Sequence, residues 1–171
     1  KPIVFDLEKI TVADLVAHID FHHSIGSTSD RALELAAQGE VELPLLVLAE
    51  QQTAGRGRSS NQWLTSDGAL TFSLALHVPR EQLPPSNWPQ VALVAGVAVA
   101  DALTRFVPQD SVRLKWPNDL LIDGQKCAGI LAEVAGPGAV VVGAGLNVWQ
   151  DAAHLDPVPA AGRRYLLGGA V

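Results

Sequence analysis

The sequence predicts an α+β domain: a mixed, largely antiparallel sheet with its helices on one face. Three observations lead there. Helix signals are confined to the first third of the chain and its middle. Hairpin signals crowd the last third. The apolar runs are short, and glycine or proline bounds them, as befits strands. Helices early and hairpins late fit a sheet covered by a layer of helices.

The elements follow in order. Thr11-Val12-Ala13-Asp14 has the spacing of a capping box, with Asp in place of Glu, and opens a short helix to about Ile19. Phe21 to Ile25 reads as a strand. Ser27-Thr28-Ser29-Asp30 opens a second helix, Arg31 to Gln38, which Gly39 closes. Pro44 to Glu50 is an apolar strand, and Leu70 to Val78 alternates as a half-buried one. Pro84-Pro85 breaks the chain. Pro89 suits the first turn of a helix to about Phe106, rich enough in Val and Ala to be buried on most sides. Val112 to Trp116 is a strand that stops at Pro117-Asn118. Leu120-Leu121-Ile122 and Cys127 to Val134 flank Asp123-Gly124, a strong two-residue hairpin signal. Gly136-Pro137-Gly138 turns the chain into a last strand, Ala139 to Gly145. Residues 151 to 171, with Arg163-Arg164 and Gly168-Gly169, lose periodicity and read as an exit segment.

Composition narrows the function. The 171 residues suit one domain, 1–171, with a core of its own. Hydrophobic residues are 48% and charged residues 18%, which excludes a disordered chain. A formal net charge of -6 argues against a general nucleic-acid binder. One cysteine, Cys127, rules out an internal disulfide and fits a reducing compartment, hence the cytoplasm. The most apolar stretch, Val91 to Ala100, is too short to span a membrane. The N-terminus does not resemble a signal peptide. The chain contains no Met, so both ends read as trimmed.

The strongest candidate site is Gly55-Arg56-Gly57-Arg58, followed by Trp63. It hangs from the apolar run Leu45-Leu46-Val47-Leu48-Ala49. Glycines let a ligand approach the backbone, and arginine forks fit phosphate or carboxylate oxygens in pairs. The alternative is a surface turn with solvated arginines. Trp63 either stacks on a ligand or packs in the core. Lys115-Trp116-Pro117-Asn118-Asp119-Leu120 crowds polar groups beside a rigid break. Lys115 and Asp119 there form either an ion pair or a ligand contact, and Asp119 suits a Mg²⁺ ion carried on a nucleotide. Lys126 follows the hairpin turn and either points to solvent or sits at a pocket mouth with Gly129 behind it. Ser27-Thr28 is either a helix cap alone or a cap plus a ligand donor. Gly143-Ala144-Gly145-Leu146-Asn147 lacks the third glycine of a dinucleotide fingerprint. The histidines have no zinc spacing, and no nucleophile sits in a recognisable setting.

Taken in order, these motifs resemble those of the biotin protein ligase family. The likeness runs from about Ser24 to Val148: Ser27-Thr28, Glu50 to Arg58 with Trp63, Lys115 to Leu120, Lys126 to Leu131, and Gly143 to Asn147. It implies a fold like that of class II aminoacyl-tRNA synthetases and lipoate ligases. It also implies an ATP-dependent reaction in which biotin becomes biotinyl-5′-AMP and then passes to a lysine of a biotin carboxyl carrier domain. Such phosphoryl transfer rests on positioning and charge neutralisation, so no catalytic triad is needed.

Carried over by motif, Ser27, Thr28 and Gln52 are ligands of the biotin ureido end and ring. Gly55, Arg56, Gly57 and Arg58 cover the carboxylate and α-phosphate, and Gly129, Leu131 and Gly145 wall the biotin pocket. Lys126 bridges the reacting groups and, with Arg58 and Asp119, carries catalysis. Lys115, Asn118, Asp119, Trp63, Asn147 and Arg58 face the nucleotide, with Asp119 on Mg²⁺. Ser60 and Asn61 stand where such loops continue with Gly-Arg, which removes a cation and implies looser retention of the adenylate. The likeness further implies a homodimer through an edge strand. No N-terminal helix-turn-helix is legible, so no DNA partner is expected, and no apolar run of transmembrane length is present, so no membrane partner is expected; the small C-terminal β domain that the likeness implies is absent or truncated. Two other functions stay open: a non-catalytic binder of biotin or its adenylate, and a lipoate or octanoyl ligase.

Overall fold

The computed structural model describes residues 3–148, apart from residues 60, 66, 67, 80, 82, 83 and 137. The predicted exit segment and Ser60 therefore lie outside the described residues. Among the described residues, three α-helices and seven strands follow in the order α1 (Leu7–Val12), β1 (His18–Ile25), α2 (Thr28–Gln38), β2 (Leu45–Gln52), β3 (Ala69–His77), α3 (Pro89–Leu103), β4 (Val112–Lys115), β5 (Asp119–Ile122), β6 (Gln125–Val134) and β7 (Ala139–Asn147). The strands form one sheet in the order β1-β2-β3-β7-β6-β5-β4. Only β1 and β2 run parallel, with His18 opposite Leu45; all other neighbours are antiparallel. The sheet is thus mixed and largely antiparallel, and the fold is α+β.

The local signals act as their chemistry dictates. Ser27 caps α2 by accepting a hydrogen bond from the Asp30 amide at 3.3 Å, and Gly39 ends the helix. Asp123 and Gly124 take φ of 50° and 77°, the pair of positive values that a tight hairpin needs.

Three expectations are corrected. The first helix does not start at Thr11. It starts at Leu7, because Asp6 caps it through the Lys9 amide at 3.1 Å. The Thr11 hydroxyl donates back to the Leu7 carbonyl instead of capping, and Asp14 ends the run with φ of 50°. Second, α3 is not buried on most sides. Val91, Ala92, Ala95, Val99 and Leu103 pack on the core, but Val94 and Val97 are 69% and 57% exposed.

Third, the helices divide between the two faces of the sheet. Alternate residues of a strand point to opposite faces. On β7, Val140, Val142, Ala144 and Leu146 join the core under α3, whereas Val141 joins Ala32 and Leu35 of α2. Gly143 also lies on the α2 side, where a Cβ would overlap the Ser29 hydroxyl. Leu120 and Ile130, almost wholly buried, anchor the α3 core, each worth about 1.5–3 kcal/mol of burial. The α2 face carries a smaller core, and this leaves room beside the N-terminus of α2 for a cavity.

Candidate active site

That cavity holds about 280 Å³. Its floor is the α2-facing side of β6 and β7, its polar end is the start of α2 with Gln52, and its lid is the glycine-arginine loop. Thr28, Gln52, Arg56, Gly57, Arg58, Trp63, Asn118, Asp119, Lys126, Gly129, Leu131 and Gly145 all line it. Residues expected at positions scattered over more than a hundred places in sequence are thereby brought to one site.

The polar end is a chain of hydroxyls. Gln52 Oε1 accepts from the Thr28 amide at 2.7 Å and from Thr28 Oγ1 at 3.0 Å. Thr28 Oγ1 in turn accepts from Ser73 Oγ at 2.9 Å, and Ser73 and Ser29 hydroxyls are 3.0 Å apart. Each hydroxyl has one proton to give. Thr28 gives its proton to Gln52 and Ser73 gives its own to Thr28, so Ser29 must donate to Ser73. The hydroxyls that reach the cavity therefore offer it lone pairs, not protons.

The lid is a small hairpin. Arg56 and Gln62 form a β-bridge, Gly57 N donates to the Asn61 carbonyl at 2.8 Å, and Trp63 N donates to the Gly55 carbonyl at 2.9 Å. The hairpin lays the Trp63 indole onto the floor, where a Cβ at Gly145 would overlap it and one at Gly129 would stand 3.4 Å away. Glycine at 145 is thus a requirement of close approach. The indole Nε1 is buried without a hydrogen-bond partner among the described residues.

The charged mouth lies across from the hydroxyls. Lys126 Nζ and Asp119 Oδ1 form an ion pair at 2.7 Å, both about four-fifths buried. A β-bulge sets this up. Leu120 pairs with Ala128 and Leu121 with Lys126, so Cys127 is an extra residue in β6. Strict alternation would put Lys126 on the Ala128 side, in the α3 core. The bulge turns it to the side of Gly129 and Asp119, as bulges re-aim side chains. Burial pushes the Cys127 thiol up to about 11, so it stays neutral. Arg58 reaches from the hairpin to within 3.5 Å of Asn118 Oδ1 and has no carboxylate partner among the described residues. Asn118 is itself fixed by exchanging hydrogen bonds with Ile130.

Four expected residues stand apart from the cavity. Ser27 serves as the cap of α2, Gly55 is packed under the Trp63 carbonyl, Lys115 is exposed on β4, and Asn147 is buried at the end of β7. Sequence reasoning missed Ser29, Ser73 and Gly143. A signal existed for one of them: Thr71 and Ser73 are polar residues on the inward face of a strand, which asks for a partner.

Residues 21–149 match the sequence profile of the biotin/lipoate A/B protein ligase family. The chain belongs to this family. Among its relatives, the biotin–acetyl-CoA-carboxylase ligase of Mycobacterium tuberculosis is 42% identical over 142 residues, covering 81% of this chain and 52% of the relative. The bifunctional ligase/repressor of Bacillus subtilis is 38% identical over 139 residues, 78% of this chain and 41% of its own. This family member thus spans about half the length of those relatives. Its fold matches the biotin acetyl coenzyme A carboxylase synthetase of Helicobacter pylori with bound biotinylated ATP, with a TM-score of 0.68 and 32% identity over 91% of this chain and 68% of that one. It also matches the Aquifex aeolicus biotin protein ligase in complex with biotin and ATP, with a TM-score of 0.68 and 31% identity over 85% and 57%.

Proposed function

We propose that this chain carries the catalytic site of an ATP-dependent biotin protein ligase. The observation that carries this is the direction of the hydroxyl chain. Thr28 and Ser29 present acceptor lone pairs at the closed end of the cavity, and the ureido ring of biotin brings N–H donors to meet them. Lipoate and octanoate have no such donors, so the same site would leave them a desolvated polar end. The relatives named for biotin ligation support the same substrate.

The reaction then uses the opposite end. A biotin carboxylate oxygen attacks the α-phosphorus of ATP, the bond from that phosphorus to the bridging oxygen breaks, and pyrophosphate leaves. The two reactants repel each other, and Lys126 and Arg58 are the cations that neutralise them. A carrier lysine amine next attacks the acyl carbon of the adenylate, AMP departs, and the amine loses a proton to solvent. Trp63 and the hairpin shield the anhydride from water.

Mg²⁺ enters as part of the nucleotide substrate. Among the described residues no cluster of three or more His, Cys, Asp and Glu side chains could cage a cation, so a single carboxylate, Asp119, would meet an ion held mainly by phosphate oxygens. The carrier domain of a biotin-dependent carboxylase is the acceptor. No helix among the described residues is long and apolar enough to cross a membrane, and one buried cysteine fits the reducing cytoplasm.

Biotin-dependent ATP–pyrophosphate exchange tests this directly. Exchange that requires biotin and disappears in Lys126→Ala is expected. Exchange driven by lipoate, or persisting in Lys126→Ala, would sink the proposal. Thermal shift gives a parallel readout, since a ligand at about 100 times its Kd stabilises by ~2.7 kcal/mol.

A further inference from the structure

We infer that Arg56 is a positioning residue, which fastens the glycine-arginine hairpin to β6 and α2 and leaves contact with the anionic ligand to Arg58. Family motifs alone would assign both arginines to the ligand. The geometry separates them.

All three guanidinium nitrogens of Arg56 face carboxylates. Nη1 donates to Glu133 Oε1 at 2.9 Å and Nη2 to Glu133 Oε2 at 2.7 Å, a two-bond fork. Nε lies 2.7 Å from Asp30 Oδ1. Glu133 sits on β6, two places beyond Leu131 of the cavity wall. Asp30 sits on α2, two places beyond Thr28. The three elements that enclose the cavity are therefore tied at one point. The ion-paired cluster of one arginine and two carboxylates carries a net charge of -1, so it adds no positive potential for an anion. The Glu133 hydrogen bonds hold the Arg56 guanidinium above its ordinary range against the opposing effect of burial, with the charges of Glu133 and Asp30 adding to it.

The backbone agrees with this division. Arg56 belongs to the bridged base of the hairpin, opposite Gln62, while Arg58 lies two residues closer to its tip. To touch a ligand, Arg56 would have to give up a fork and a second ion pair. Arg58 need only leave a 3.5 Å contact with Asn118. Anchoring at position 56 also holds the base of the hairpin that lays Trp63 on its glycine floor.

The inference rests on the proposed reaction only for what the anion is; the anchoring itself does not depend on it. The test compares wild type, Glu133→Gln, Arg56→Gln, Arg56→Lys and the double variant Arg56→Gln/Glu133→Gln. Hydrogen exchange is read on the ligand-free proteins, and biotin affinity is read by calorimetry. Both glutamine variants should speed exchange of the Gly57 and Trp63 amides about tenfold, the scale of a lost charged hydrogen bond. Both should weaken biotin binding alike, with the double variant no worse than either, and with exchange in β6 and β7 unchanged. Arg56→Lys keeps the charge but not the fork, and should behave like Arg56→Gln.

Glu133 does not line the cavity. If Glu133→Gln keeps wild-type exchange and affinity while Arg56→Gln loses binding, Arg56 is a ligand contact and the inference falls. It also falls if Arg56→Lys matches wild type. Should the wild-type protein bind no biotin, the proposed reaction fails instead, and the exchange data alone decide whether Arg56 anchors the hairpin.

Discussion

Replacing Gly145 by alanine puts a methyl group where the Trp63 indole now lies. The added Cβ would stand 2.7 Å from the indole Nε1 and closer still to Cζ2 and Cε2. Unstrained contacts between such atoms sit at about 3.5–4.0 Å. Gly145 is held in β7 between β3 and β6, so the sheet cannot yield, and the ring must retreat by about 1 Å. Trp63 is tied to Gly55 by its amide, so the retreat shifts the hairpin that covers the site. A displacement of that size in a site of this kind costs on the order of 100-fold in productive binding. Biotin calorimetry should show that loss for Gly145→Ala, while the melting temperature stays near wild type because no core contact is lost. Trp63→Phe in the same background removes the fused part of the ring and should recover part of the affinity. Wild-type affinity for Gly145→Ala, or no recovery in the double variant, would refute the reasoning.

Two further outcomes are expected. Arg58→Ala should leave the melting temperature unchanged, since its one described contact is long and solvent-exposed, yet raise the release rate of biotinyl-5′-AMP at least tenfold, measured by chasing labelled adenylate. Asp20 makes an ion pair with Arg31 at 2.9 Å and lies 3.1 Å from His22 Nε2. Burial would raise its carboxyl, but hydrogen bonds from His22 and Arg31 outweigh that and hold it below the usual range. A depressed folded-state value contributes stability above the unfolded value of about 3.9, which is lost as pH falls through the folded one. Asp20→Asn should therefore lower the urea midpoint at pH 7, with the difference shrinking below about pH 4; an unchanging difference would refute the linkage.

Local chemistry made much of the fold legible. The Ser27 cap, the Asp123-Gly124 turn and the alternation of β3 depend on neighbours in sequence, and each stands where its residues place it. What stayed illegible depends on distant partners. α1 starts at Leu7, not at Thr11, because Asp6 and Thr11 each have two bonding options, and the chain uses the other one. The division of α2 and α3 between faces follows from β7, whose run of apolar and small residues is buried on both sides and so carries no alternation to read. In the candidate site, residue types pointed to Lys126, Asp119, Gln52 and Thr28, which do line one cavity. They could not show that Glu133, 77 residues from Arg56, occupies its fork, nor that Ser73 sets the direction of the Thr28 hydroxyl.

The extra residue in β6 has a further consequence for how such a site can vary. Any side chain small enough for the α3 core can stand at position 127 and Lys126 will still face Asp119. Removing the position altogether leaves Lys126 two places from Gly129 in plain alternation, so the ammonium again faces Asp119. What the extra residue adds is a second neighbour for the α3 core, since Cys127 and Ala128 are both buried there while the lysine keeps its place at the mouth of the cavity.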